Sequence, residues 1–66
     1  MTKAQKIITQ AAYTMGSIAF ANGIQCAPAL DKMFQERMAG RQVGDPRTIP
    51  EMKAWISGWT AANLAA

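Results

Sequence analysis

Ala54-Trp55-Ile56-Ser57-Gly58-Trp59 sets two tryptophans one helical turn apart with a glycine between them. Indoles of that size consume much of what a small chain can bury, so they require a receiving surface. The upstream run Tyr13-x-x-Gly16-x-x-Ala19-x-x-x-Gly23 supplies one, because small residues at helical spacing leave a shallow backbone surface on one side of a helix. The two stretches read as halves of one interface, with Trp55 and Trp59 clamping the last helix onto Gly16 and Ala19. Gly58 permits close packing there, and the tryptophans are core residues first.

Working outward, apolar residues at Ala4, Ile7, Ile8, Ala11, Ala12, Met15, Ile18 and Ala19 recur every three or four positions, which predicts a first helix. Thr2 stands at its start as a cap and Gly23 at its end as a stop. A second line through Tyr13, Phe20 and Ile24 widens the apolar surface, so this helix should touch two elements. Cys26-Ala27-Pro28 breaks it, and Pro28 suits the first position of a second helix over 28–39, with Leu30, Met33, Phe34 and Met38 on one side and Gly40 as terminator. Residues 40–47 have the glycine and proline punctuation of an exposed loop. Thr48 with Glu51 forms a capping box that opens a third helix, with Pro50 in its first turn and Met52, Trp55, Ile56, Trp59 and Ala62 turned inward. The expectation is a single all-α domain over 1–66: a helix-loop-helix core with a short additional middle helix.

A chain of 66 residues buries only about 60% of its unfolded surface and is marginal alone. With half of its residues apolar and five methionines it should fold, and its helix faces suit adaptable contacts. One cysteine and no histidine remove disulfide frameworks, common zinc spacings and the base of most nucleophilic triads. Cys26 has no basic neighbour to activate it and reads as an inert small hydrophobe, and Asp31 and Glu36 are badly spaced for an acid pair. No enzyme, metal or cofactor is expected. The longest apolar stretch, 18–24, is interrupted by Asn22 and Gly23 and too short to span a bilayer, and no cleavable signal precedes it, so a cytoplasmic protein is expected. Seven basic against four acidic residues give a net charge of +3, compatible with nucleic acid. Lys3 and Lys6 on the first helix, Arg37 and Arg41 around the end of the second, Arg47 in the loop and Lys53 on the third are the positions from which phosphates would be met. Scattered solvated charges are the alternative.

Tyr13-x-x-Gly16, the helix break holding Cys26 and Pro28, and Trp55-x-x-Gly58-Trp59-x-x-Ala62 together resemble the ribosome modulation factor family of small bacterial and phage-encoded proteins. The resemblance covers the first helix, the break and the last helix. It implies a helix-loop-helix core that binds the ribosome near the 3′ end of small-subunit rRNA, blocks initiation and promotes inactive ribosome dimers. Lys3 and Lys6, with Tyr13 nearby, would stand where that family has its basic amino-terminal segment. This chain departs in a thinner basic segment, in Ala27 between Cys26 and Pro28, and in the extra helix and loop within 30–47.

Two functions follow. The first is a non-catalytic regulator that binds rRNA or the ribosome and inhibits translation, with Lys3, Lys6, Tyr13, Arg41, Arg47 and Lys53 as nucleic-acid-binding residues. The second is a phage-type or bacterial adaptor or inhibitor that docks on a host protein, or on a second copy as a homo-oligomer, through an apolar face including Tyr13, Phe20, Met33 and Phe34. In both, Gly16, Ala19, Gly23, Trp55, Gly58 and Trp59 are structural.

Overall fold

A computed structural model describes residues 3–66, apart from the side chains at positions 4 and 5. Its helices are α1 (Lys3–Ala21), α2 (Lys32–Met38) and α3 (Thr48–Ala65), with a 3-10 turn at Pro28–Leu30 before α2. The expected cap at Thr2 and inward side chain at Ala4 lie outside the described residues. At the other end of α1, Gly23 takes the left-handed conformation, φ 77°. Its N–H donates to the Phe20 carbonyl at 3.0 Å, and the Ile24 N–H donates to the Ala19 carbonyl at 2.9 Å. This is a Schellman closure, and it folds Ile24 back onto the core.

The middle of the chain corrects the sequence reading. No continuous helix runs from Pro28, because Asp31 adopts extended backbone angles, φ −90° and ψ 106°, and caps a shorter one. Its Oδ1 accepts from the Met33 N–H at 3.1 Å and the Phe34 N–H at 3.4 Å. A short acidic side chain satisfies free amides better at a helix start than inside a helix. The break separates Leu30, 58% exposed, from Phe34, which is buried, and Met33, 61% exposed, lies about 100° around α2 from Phe34. The capping box at Thr48 is also absent. Thr48 is the first helical residue, Arg47 occupies the cap position without a side-chain bond to the helix amides, and Glu51 is fully buried.

Contacts advance along α1 and α3 together. Ile8 is linked to Glu51 through Arg37 near the helix starts and Phe20 meets Trp59 further along both, so the two helices run in the same direction, crossing where Gly16 meets Trp55 and Tyr13 meets Gly58. They touch backbone to backbone. A Cβ on Gly16 would collide with the Trp55 carbonyl, and one on Gly58 would collide with the Tyr13 carbonyl. Gly16 meets the main chain of Trp55 and Trp59, and Ala19 shares the core with Trp55, with Trp59 packed against it. Trp55 tilts against Phe34, ring centroids 6.2 Å apart, and its Nε1 donates to Asp31 Oδ2 at 2.9 Å. Trp59 meets Phe20 edge-on at 5.3 Å and donates to the Ile24 carbonyl at 2.8 Å. Ala12, Ala19, Phe34 and Trp55 form the buried centre, with Met15, Met38 and Met52 packed around it. Ile56, expected inside, is 40% exposed, because the contact runs through positions 51, 55 and 58, which leaves position 56 on the flank. α1 packs on both α3 and α2.

Glycine to alanine normally stabilises a helix interior by about 1 kcal/mol. At Gly16 and Gly58 the sign should reverse, because the new methyl forces two backbones apart, an overpacking cost of roughly 1–3 kcal/mol or more. Urea unfolding of Gly16→Ala and Gly58→Ala should show lower midpoints, while Ser57→Ala, on the exposed side of α3, should not. An unchanged or raised midpoint for Gly58→Ala would contradict the close approach.

Candidate nucleic-acid interface

Because α1 and α3 run together, the start of α1, the end of α2, loop 39–47 and the start of α3 meet at one end of the molecule. Arg37 ties them: its Nη2 donates to the Ile8 carbonyl at 3.5 Å and its Nε to Glu51 Oε1 at 3.2 Å. Six of the seven basic residues, Lys3, Lys6, Arg37, Arg41, Arg47 and Lys53, belong to these segments, with Glu36, Asp45 and Glu51 as the acids. Lys32 and Asp31 lie towards the opposite end, where Lys32 borders Asn22. The whole formal excess of +3 therefore sits at one end.

The arginines at that end are already engaged. Glu51, with 1% of its side chain exposed, holds Arg37 on Oε1 at 3.2 Å and Arg41 on Oε2. Arg47 grips Asp45 with both ends of its guanidinium, Nε on Oδ1 at 3.0 Å and Nη2 on Oδ2 at 2.6 Å. That side-chain hydrogen bonding, reinforced by the Arg47 N–H, holds the Asp45 carboxyl well below the usual carboxylate range, and the same pair raises Arg47. A depressed value means that the pair contributes fully above the ordinary carboxylate range and is lost as pH falls below it. The loop encloses an open cup of about 620 Å³ between Arg37, Arg41 and Arg47.

The candidate contact residues thus separate. Lys3, Lys6 and Lys53 are exposed and make no ion pair among the described residues. Arg47 pairs with Asp45 yet keeps 52% of its side chain open to solvent. Arg41 is 12% exposed and committed to Glu51, so it braces this end and is not an open phosphate ligand. Tyr13 is 42% exposed.

The residues named for protein docking divide as well. Phe34 is 1% exposed and belongs to the core, which corrects its placement on a surface, and Phe20 is half-buried against Trp59. Met33 is open, and with Leu30 and Ile18 it borders an apolar furrow of about 270 Å³ between α1 and the 3-10 turn. Cys26 is exposed, not packed as a small hydrophobe, because it lies at the bend between α1 and the 3-10 turn. Among the described residues, no helix is long and apolar enough to cross a membrane.

Sequence reading missed the part played by Asp31, Arg37 and Glu51. An aspartate just before an apolar helical period is a capping signal in its own right, and it was available. Nothing local announces that Glu51 turns inward, since its position three residues after Thr48 imitates a capping box. No protein-family model, curated protein or solved structure matches this chain.

Glu51→Gln should leave two arginines without their counter-charge. Breaking such a buried pair costs about 3–5 kcal/mol, here towards the lower value because Arg37 is 30% exposed. Chemical unfolding should show this loss at low and high salt alike, whereas Asp45→Asn, in a surface pair, should have a small and salt-dependent effect. Equal losses for the two variants would contradict the inward role of Glu51.

Proposed function

We propose that this chain is a small non-catalytic regulator of the ribosome modulation factor type, which binds rRNA and inhibits translation by occupancy. The observation that carries this reading is the collection of the chain's entire positive excess at the end where α1 and α3 begin. Two co-directional helices also present their positive dipole ends there, which adds to the attraction for phosphate. The internal ion pairs sharpen the assignment of roles. Arg37, Arg41 and Glu51 hold α2, α3 and the start of α1 in one arrangement, and Lys3, Lys6 and Lys53, joined by the open side of Arg47, meet the RNA backbone. Such contacts position a protein on RNA and supply affinity without reading sequence.

A second reading rests on a separate observation, the furrow bordered by Ile18, Leu30 and Met33, three large apolar residues left 46%, 58% and 61% exposed. Open apolar surface of this kind suits a protein partner.

Co-sedimentation with ribosomes at increasing salt tests the first reading against the second. Each phosphate contact contributes about 0.7–0.9 to the slope of log affinity against log salt. Lys3→Gln, Lys6→Gln and Lys53→Gln combined should therefore lower that slope by about 2–3 and weaken binding, while Lys32→Gln should leave both unchanged. Binding that ignores salt and the lysines but disappears in Met33→Asp would replace the rRNA reading with protein docking.

A further inference from the structure

One aromatic side chain stands apart from the others. Phe20 pairs with Trp59 and Phe34 with Trp55, whereas Tyr13, 42% exposed, has neither a ring partner nor a side-chain hydrogen bond among the described residues. It does not stand alone in sequence. Lys3, Lys6, Gln10 and Tyr13 follow one another at intervals of three and four, which places them on one face of α1, and all four are exposed. α1 contains no acidic residue, so this face offers phosphate two uncompensated cations and, one turn further on, an open aromatic ring. The main chain that carries the ring is fixed by packing. The Tyr13 carbonyl lies against Gly58 where the backbones of α1 and α3 touch.

From this arrangement we infer that the Lys3-Lys6-Gln10-Tyr13 face of α1 binds an unpaired RNA strand, with its phosphates on the two lysines and one unstacked base on the Tyr13 ring. The inference rests on the rRNA reading above and specifies the kind of RNA it requires. A duplex keeps its bases stacked inside and offers Tyr13 nothing to cover, whereas a loop or free strand presents both backbone charge and a base face. Stacking accepts any base, so selectivity here is for unpaired structure and not for sequence. Gln10, between the lysines and the ring, supplies an amide that reaches either a sugar or a base edge.

Direct binding by the full chain tests this with three RNA probes of equal phosphate number: a single strand, the same strand with abasic residues, and a blunt two-strand duplex without a loop. Stacking of one base is worth about 1–3 kcal/mol, so the base-bearing strand should bind about 5- to 150-fold more tightly than the abasic one. Tyr13→Phe should keep that preference. Tyr13→Ala should remove it while leaving the lysine-dependent salt slope in place, with circular dichroism confirming a folded chain. Equal affinity of the wild-type chain for the base-bearing and abasic strands, or stronger binding of the loop-free duplex, overturns the inference while the rRNA reading survives. Because that comparison uses the unaltered chain, it does not depend on a variant that folds. Absence of binding to all three probes and to ribosomes overturns both. If Tyr13→Ala abolishes ribosome association without changing affinity for any RNA probe, the face docks protein and the inference falls.

Discussion

The backbone contact between α1 and α3 is the constraint from which the rest of this structure follows. Gly16 and Gly58 each face a main-chain carbonyl of the opposite helix, so no side chain fits between them there. Large side chains must leave the contact on its flanks, and they do. Trp55 travels to Asp31 and Phe34, and Trp59 to Phe20 and Ile24. Removing one indole from water takes away roughly 150–250 Å² of surface, an upper estimate of about 4–6 kcal/mol. In a chain of 66 residues that is a large share of a stability normally near 5–15 kcal/mol. The glycines therefore decide not only how near the helices come but also what the tryptophans secure, which is the irregular segment between α1 and α2.

Helix direction then decides the electrostatics. Had α3 run against α1, Lys53 would lie far from Lys3 and Lys6, and the positive charge would be divided between two ends. Running together, the helices gather it. Gathered charge repels itself, and the buried carboxylate of Glu51 between Arg37 and Arg41 offsets part of that repulsion. A pair of this kind contributes little net stability compared with apolar packing, because both partners lose water. What it does define is geometry, since one carboxylate joins α3 to the end of α2 and, through Arg37, to the Ile8 carbonyl on α1. Lys3, Lys6 and Lys53 are left over, with no ion pair among the described residues.

What could be read from the sequence follows the range of the interaction. The extents of α1 and α3, the stop at Gly23 and the close approach at Gly58 are written in spacings of three, four and seven, and periodicity finds them. Asp31 was legible in part, as a cap, but its bond to Trp55 spans 24 residues and has no local signature. Glu51 was misread because the same residue at the same position suits two environments, a free helix start or a buried ion pair. Which one it takes depends on Arg37, 14 residues away. Leu30 was misplaced because the interruption at Asp31 rotates the face before it relative to the face after it, and Met33 because α2 buries the line through Phe34 and Met38, which leaves the preceding position outside. In the candidate site the lysines were visible as charges. That Arg41 would be withdrawn from the surface depended on Glu51 and was not visible.

Tyr13 joins these levels. Its main chain completes the contact with Gly58, and its side chain stands on the face of α1 that carries Lys3 and Lys6, which make no ion pair among the described residues. Small residues pull the backbones together, and the residue at the crossing then carries its ring on a packed main chain. A ring on a packed main chain has less conformational entropy to lose when something stacks on it than one on a mobile loop, where the backbone must be ordered too. A chain this small cannot build a separate platform for binding. It can instead use the outer side of its helix contact, where Tyr13 stands on a main chain already packed against Gly58.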